Sequence, residues 1–291
     1  MCDCHKTYQK NTEELSTDEM LKVIDDFANI GTSAIAFTGG EPLLRQDIHI
    51  LINHSKNRRL RAYLFTNGFL LNDEKIKLLL ASGIDGINLS LDGITADTHD
   101  KIRGVKGSYE RVIYAIKRIS SLREKSKKKV SLTVSCVICK DNIDEIEDLV
   151  SFASNLKIDH ITFSPLRFEG NYDTLPLKPD TEKARAVIAK LIELRKKTRL
   201  IDCSLRYLKL LNYYFANKEH FMKCYAGYAS CTVDCYGNIH PCTLYSPKVA
   251  NVRDISLKDC WVSEKFNKAR KAIKTCRCCY RNCWTELSLI F

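Results

Sequence analysis

Nowhere in this sequence do apolar residues run on for the roughly 18 positions that a membrane-spanning helix takes, and residues 1–30 lack the apolar core of a secretory signal. No tract is of low complexity, and nothing repeats at residue level. The expectation is a protein of the cytosol with no membrane partner, where reducing conditions disfavour disulfide scaffolds. Disorder and fibrous architecture are excluded by what is present: 291 residues, 45% hydrophobic and 28% charged. That length buries a full core and suits either two domains or one barrel with an appendage.

Against 35 acidic residues stand 46 Lys and Arg, a net charge of +11. An anionic partner such as a nucleotide, a nucleic acid or an acidic peptide would suit it, and the sign alone does not choose. The basic runs at 123–129, Arg58-Arg59 and Lys196-Lys197 fall at helix ends, where cations complement the helix dipole in water; they argue against nucleic acid. Cysteine is the abundant residue. Nine of the 14 (Cys224, Cys231, Cys235, Cys242, Cys260, Cys276, Cys278, Cys279 and Cys283) fall in the last 70 residues, and in a reducing compartment such a cluster reads as metal ligands or catalytic thiols.

Ser16 followed by Glu19 is a capping-box signal, and Met20, Leu21, Ile24, Phe27 and Ala28 recur at helical spacing, which predicts a helix over 17–29. Gly31 stops it, and a short apolar strand at 34–37 ends in Thr38-Gly39-Gly40-Glu41-Pro42. The unit then recurs: helix 45–56 and strand 62–65, helix 73–82 and strand 86–91, helix 109–124 and strand 130–137, helix 143–155 and strand 160–163. Five alternations with mostly apolar, β-branched strands predict an α/β fold of parallel strands buried beneath helices, open or closed into a barrel. Helices follow at 181–197 and about 207–217, and a small Cys-rich domain begins near 220.

Chemistry concentrates just after the strands, on the C-terminal rim where α/β folds place ligands. Gly39 and Gly40 let a backbone pass close to a ligand, with the carboxylate of Glu41 beside them to grip an ammonium group. Thr66-Asn67-Gly68 and Ser90-Leu91-Asp92-Gly93 end the next two strands. In that order, at about 25-residue intervals, these three motifs resemble the radical S-adenosylmethionine (SAM) superfamily. The resemblance covers residues 1 to about 205. It implies a partial (β/α)6 barrel of TIM type with a 4Fe-4S cluster held by a C-x3-C-x2-C loop after its first strand. It also implies reductive cleavage of SAM to a 5′-deoxyadenosyl radical that abstracts a substrate hydrogen, the cofactor carrying the hard step.

Carried over residue by residue, Gly39, Gly40 and Glu41 would bind the SAM amino group. Ser90 and Asp92 would lie near its ribose, Thr66 and Asn67 would line the same rim, and Arg103, in the loop after the Asp92 strand, would meet the SAM carboxylate. The family has six strands and this sequence shows five; the missing one is the first. The chain opens Met1-Cys2-Asp3-Cys4-His5 where members often read C-x3-C-x-M-C-D-C. On that alignment Cys2 is the third cluster ligand, and the first two ligands with their strand are expected upstream of Met1.

The tail has its own resemblance. Cys224, twelve residues, Gly237, four residues and Cys242 resemble the C-x9-15-G-x4-C opening of SPASM and twitch domains, with 232–234 and 238–240 pairing as a hairpin about Gly237. This implies an auxiliary 4Fe-4S cluster. Cys276, Cys279 and Cys283 give C-x2-C-x3-C, a spacing that suits iron-sulfur and zinc alike. Cys224, Cys242, Cys276 and Cys279 complete one four-thiolate set; whether Cys283 replaces Cys276 or serves a second cluster stays open. The divisions expected are a barrel over 1–205, a linker helix over 206–222 and the cluster domain over 223–291. The expected partners are a peptide, protein or small-molecule substrate and a reductant such as flavodoxin or ferredoxin. The alternative is a zinc- or iron-sulfur-binding protein that docks a nucleic acid or a partner and carries an inactive barrel.

Overall fold

A computed structural model of the chain describes residues 13–126, 129–166, 177–220, 222–242, 248–277 and 279–290. Helix α1 (Thr17–Asn29) begins at the expected capping box, with Ser16 N–H donating to Glu19 at 2.8 Å and Glu19 N–H to Ser16 Oγ at 3.2 Å. It feeds β1 (Ala34–Phe37), and the alternation continues through α2 (Ile48–Asn57), β2 (Arg61–Thr66), α3 (Asp73–Ala81) and β3 (Gly86–Ser90). Then come α4 (Ala96–Arg103), α5 (Ser108–Ser126), β4 (Ser131–Ile138), α6 (Ile146–Asn155) and β5 (His160–Pro165). Helix α2 starts later than expected because Pro42–Leu44 forms a 3-10 turn first. Helix α4 takes the place of an expected loop. Its ends are well marked, by Thr95 as N-cap and by Gly104 in the left-handed region at φ 70°, but only His99 and Ile102 are buried, so no apolar periodicity announces it.

The five strands are parallel and lie in the order β1-β2-β3-β4-β5. With the right-handed crossovers that parallel strands take, sequential order stacks every helix on one face of the sheet. That decides for a partial barrel over a doubly wound sheet. Along β4, buried Leu132, Val134, Cys136 and Ile138 alternate with half-exposed Ser131, Thr133, Ser135 and Val137. The buried set packs with Leu64, Ile87, Leu89, Ile161 and Phe163 under the helices; the other set, polar except for Val137, forms the inner wall.

Helices α7 (Thr181–Lys197) and α8 (Leu205–Phe215) follow. Although α8 falls in the stretch read as a linker, its Tyr207, Leu208, Leu211 and Phe215 are fully buried in the same core as the sheet. The tail forms a small antiparallel sheet of β6 (Thr232–Val233), β7 (Asn238–His240) and β8 (Ala250–Asn251), then α9 (Leu257–Val262), α10 (Glu264–Lys274) and α11 (Asn282–Ile290). The hairpin turns at Gly237, where φ is 84° and a Cβ would sit 2.9 Å from Val252 Cγ2. Ile239, Val249, Leu257, Cys260 and Phe266 make its core, with Trp261 packed against it.

The two parts are fastened through residues 13–19. Leu15, 1% exposed, donates its N–H to Cys235 O at 2.7 Å and accepts from Arg45 Nη1 at 2.9 Å. Arg253 Nε donates to Glu19 Oε1 at 2.6 Å. Among the described residues, no helix is long and apolar enough to cross a membrane.

Candidate active site

The rim motifs converge as a hydrogen-bonded knot. Glu41, half-buried at the end of the β1 loop, accepts from Leu43 N–H at 3.1 Å and Thr66 Oγ1 at 2.7 Å on one oxygen, and from Asn67 N–H at 3.0 Å on the other. Asn67 in turn accepts from Phe69 N–H through Oδ1 at 2.8 Å. A carboxylate offers about four acceptor positions, so one is left for a donor arriving on the rim. Beside it Gly39, at φ 137°, and Gly40 have nothing within 4 Å of where a Cβ would stand. This open, side-chain-free backbone next to a carboxylate fits an amino-acid head group.

Ser90 lies level with Ser135 on β4, and Ser135 with Thr162 on β5, the latter two joined by a hydroxyl pair at 2.8 Å. These three, with Asn88 and Thr133 one rung below, give the inner wall hydroxyl and amide groups. Ser135 and Thr162 were missed by the sequence reading, although the alternation of Ser-Leu-Thr-Val-Ser-Cys-Val-Ile carries the signal.

Asp92 and Arg103, expected near the SAM ribose and carboxylate, are paired with each other. Asp92 is fully enclosed, its Oδ1 accepting from Val137 N–H at 2.8 Å. Arg103 closes α4, not a loop, and its Nε lies 2.7 Å from Asp92 Oδ2, an ion pair in which the N–H does not point along the line to the oxygen. Asn142 Nδ2 donates to Asp92 O and Val137 O, each at 2.8 Å. The result is a latch holding the end of β3 to the end of β4. Gly93 is required there, because a Cβ would come within 2.7 Å of Thr98 Cβ.

His99 completes the latch. Its Nδ1 faces Asp92 N–H at 3.1 Å and must accept, so Nε2 carries the proton toward Ser108 Oγ at 3.2 Å. Burial brings its pKa down from 6.5 to about 4, against the pull of the Asp92 carboxylate. The unfolded chain then takes up this proton near pH 6.5 and the folded chain only near pH 4, so stability falls as pH drops through that window, by about 3 kcal/mol from this group. Urea midpoints at pH 7 and 4.5 should show the loss in the native chain and a flatter profile in His99→Leu; an equally steep profile in the variant would place the acid sensitivity elsewhere.

In the tail, Cys242 is buried with Ala226 and Ile273, and Cys224 packs against them. Burial pushes the Cys224 thiol up, and Cys242 and Cys276 add to the rise, so these three sulfurs share one neighbourhood. Bound iron reverses that balance by stabilising thiolates. Cys279 follows with its carbonyl held by His220 Nε2 at 2.9 Å and Thr285 Oγ1 at 3.1 Å. Cys2 lies outside the described residues, as does the side chain of Cys283. Among the described residues no three His, Cys, Asp or Glu close around a single ion. Ligands of a four-iron cluster each meet a different iron and stand farther apart than ligands of one zinc. Among the described residues, Cys231 neighbours Cys260 and Arg270, and Cys235 is exposed. Cys136, Cys139 and Cys203 are buried in the barrel part.

Residues 1–153, more than half of the chain, match the Radical SAM superfamily. This chain belongs to the radical SAM superfamily. Residues 224–284 match SPASM, an iron-sulfur cluster-binding domain. The radical SAM chain is similar to an AdoMet-dependent heme synthase of Methanosarcina barkeri, 27% identical over 88% of this chain and 76% of that protein. It is likewise similar to a PqqA peptide cyclase of Rhizobium meliloti, 28% identical over 92% of this chain and 72% of that one. Among solved structures, Streptococcus suis SuiB bound to its precursor peptide SuiA shares the fold, with a TM-score of 0.71 at 19% identity. The match covers 93% of this chain and 62% of SuiB, so the chain spans under two thirds of that structure. The radical SAM chain is therefore an enzyme whose cofactors are a 4Fe-4S cluster with SAM and, in the SPASM domain, auxiliary iron-sulfur.

Proposed function

We propose that this enzyme abstracts a hydrogen from a peptide or protein substrate held against the polar inner wall, with SAM seated on the Gly39, Gly40 and Glu41 loop. When bound, the cluster and SAM would supply a 5′-deoxyadenosyl radical, and Cys2 would be one of the cluster's ligands. The chain's own work is placement. Glu41 takes the amino group with its remaining acceptor position while Thr66 and Asn67 hold it rigid, and Ser90 faces the ribose from the neighbouring strand. Asp92 and Arg103 hold Ser90 in place from behind. Cys224, Cys242 and Cys276, with Cys279 or Cys283, hold an auxiliary cluster. The organisation is a barrel over 1–205, the segment 206–222 and a cluster domain over 223–291.

The observation that carries the substrate class is the row Ser90, Ser135 and Thr162 with Asn88 and Thr133 below it. Short hydroxyls and an amide can donate to and accept from peptide groups, and Phe65, level with Asn88 on the same face, offers apolar area beside them. The tail also reaches this wall, Asn282 N–H lying 3.4 Å from Ser164 Oγ on β5. Electrons come from a small carrier such as flavodoxin or ferredoxin.

The test is made on the protein carrying the whole C-x3-C-x2-C loop: anaerobic reconstitution with iron and sulfide, followed by SAM and a chemical reductant. 5′-Deoxyadenosine is the expected product, and a doubly substituted Cys224→Ala, Cys276→Ala chain should carry about four fewer irons while its barrel still folds. One zinc per chain with no iron retained, and no 5′-deoxyadenosine, would overturn the reading in favour of a zinc protein.

A further inference from the structure

Beyond β5 the inner wall continues by one more step. Ile161 donates its N–H to Leu200 O at 2.7 Å and accepts from Asp202 N–H at 2.8 Å, a parallel bridge that sets Ile201 beside Ile161. Ile201 and Cys203, 0% and 1% exposed, lie in the core under the helices. By the two-residue alternation of extended chain, Asp202 faces the other way, into the barrel. It extends the row Ser90, Ser135 and Thr162 by one position. One level below, the row Phe65, Asn88 and Thr133 continues to His160, which faces inward because Ile161 and Phe163 are the core residues of β5.

Asp202 and His160 are the titratable side chains of these two rows, in a chain of net charge +11. Asp202 is exposed, and among the described residues no hydrogen bond or ion pair meets its carboxylate. His160 is half-buried, its Nδ1 enclosed and without a hydrogen-bond partner. Arg61 stands on the same face at the opposite end of β2. The start of α11 bounds the corner, with Asn282 N–H 3.4 Å from Ser164 Oγ and its Nδ2 3.4 Å from Cys203 Sγ. One turn on, Glu286 accepts from Ser204 N–H at 2.6 Å and lies in electrostatic reach of Asp202 and Arg195. Arg195 turns its Nε to Cys203 O at 3.1 Å. Two carboxylates against one guanidinium leave the corner negative.

We propose that Asp202 and His160 form the specificity corner of this wall and take the cationic side chain of a lysine or arginine in the peptide substrate. The proposal rests on the reading of the wall as the peptide's seat. An ammonium or guanidinium group brings only donors. The corner answers with acceptors, the Asp202 carboxylate and a ring nitrogen of neutral His160. A charge pair in a partly enclosed cleft is screened less by salt than one on open surface. An acidic side chain would be repelled there, and an apolar one would strip water from the carboxylate and give it no partner, so the corner selects by charge. Ser90 stands in the same row as Asp202, so a side chain seated at the corner lays the peptide along that row toward the Gly39, Gly40 and Glu41 loop.

The test selects peptides from a random phage-displayed library on the reconstituted protein with its whole C-x3-C-x2-C loop and SAM. Lys and Arg should be enriched at one peptide position. That enrichment should vanish in Asp202→Asn and turn to Asp and Glu in Asp202→Lys. A selected lysine peptide, labelled with fluorescein, is then compared with its norleucine counterpart by fluorescence anisotropy. The native protein should prefer the lysine peptide about tenfold, the scale of a hydrogen bond to a charged group. Asp202→Asn should bind the two alike, and His160→Leu should keep only part of the preference. The norleucine peptide should lose no affinity in either variant, whereas damage to the fold would weaken both peptides. An equal loss for both peptides, or an unchanged preference in either variant, would overturn the proposal. Enriched peptides with no basic position would overturn it and leave the peptide reading standing. No enrichment of any peptide by the native protein would overturn the proposal together with that reading.

Discussion

Replacing Asp92 with alanine is expected to destabilise the fold by about 3–5 kcal/mol, the cost of stranding a buried charge. The side chain of Arg103 is 19% exposed and that of Asp92 is 0% exposed, so removing the carboxylate leaves the guanidinium short of solvent and of its counter-ion. The same change takes the acceptor from Val137 N–H, and a lost partner for an enclosed donor adds about 1–3 kcal/mol in its own right. Asp92→Asn keeps an oxygen for Val137 and loses only the charge, so it should fall between. Urea unfolding of the three chains measures this directly. A cost under about 1 kcal/mol for the alanine variant, joined to a loss of SAM affinity, would return Asp92 to the ribose and break the latch assignment.

Glu41→Ala should reduce SAM affinity at least tenfold, an effect of about 1.4 kcal/mol or more, and should loosen the rim as well. The carboxylate gathers three donors from two loops, and bonds to a charged acceptor are worth about 1.5–3 kcal/mol each. Without it the loops after β1 and β2 lose their common anchor. Glu41→Gln is the sharper probe. Its one oxygen keeps the donors on one side while its NH2 opposes Asn67 N–H or the donors on the other, so it should lose part of the stability and most of the SAM binding. Calorimetric titration of the reconstituted protein with SAM separates the two effects; native affinity in Glu41→Ala would remove Glu41 from the site.

How far the sequence could be read varied with how local the signal was. Helix α1 was legible to the residue because Ser16, Glu19 and the apolar spacing are all local, and α7 was legible because Asp180 caps it and its apolar side is regular. Helix α4 was not, since a helix that buries only two side chains has little pattern to show. The motifs Gly39-Gly40-Glu41, Thr66-Asn67 and Ser90 were legible as rim positions because each follows a strand. Asp92 and Arg103 looked like the same kind of residue, polar and after a strand, and only packing showed that they face each other inside the protein. The tail was legible through Gly237 and the cysteine spacing, while β8 needed the fold.

The sequence by itself determined the family, the parallel α/β architecture and the loops that carry chemistry, because period, turn residues and spacing act over a few positions of chain. The tertiary structure alone decided which face of each strand lines the active site, which carboxylate holds a loop and which holds an arginine, and that Cys224, Cys242 and Cys276 share one neighbourhood. Those are relations between residues far apart along the chain, and they are set by strand order and by the burial of charge, neither of which any local stretch of residues encodes.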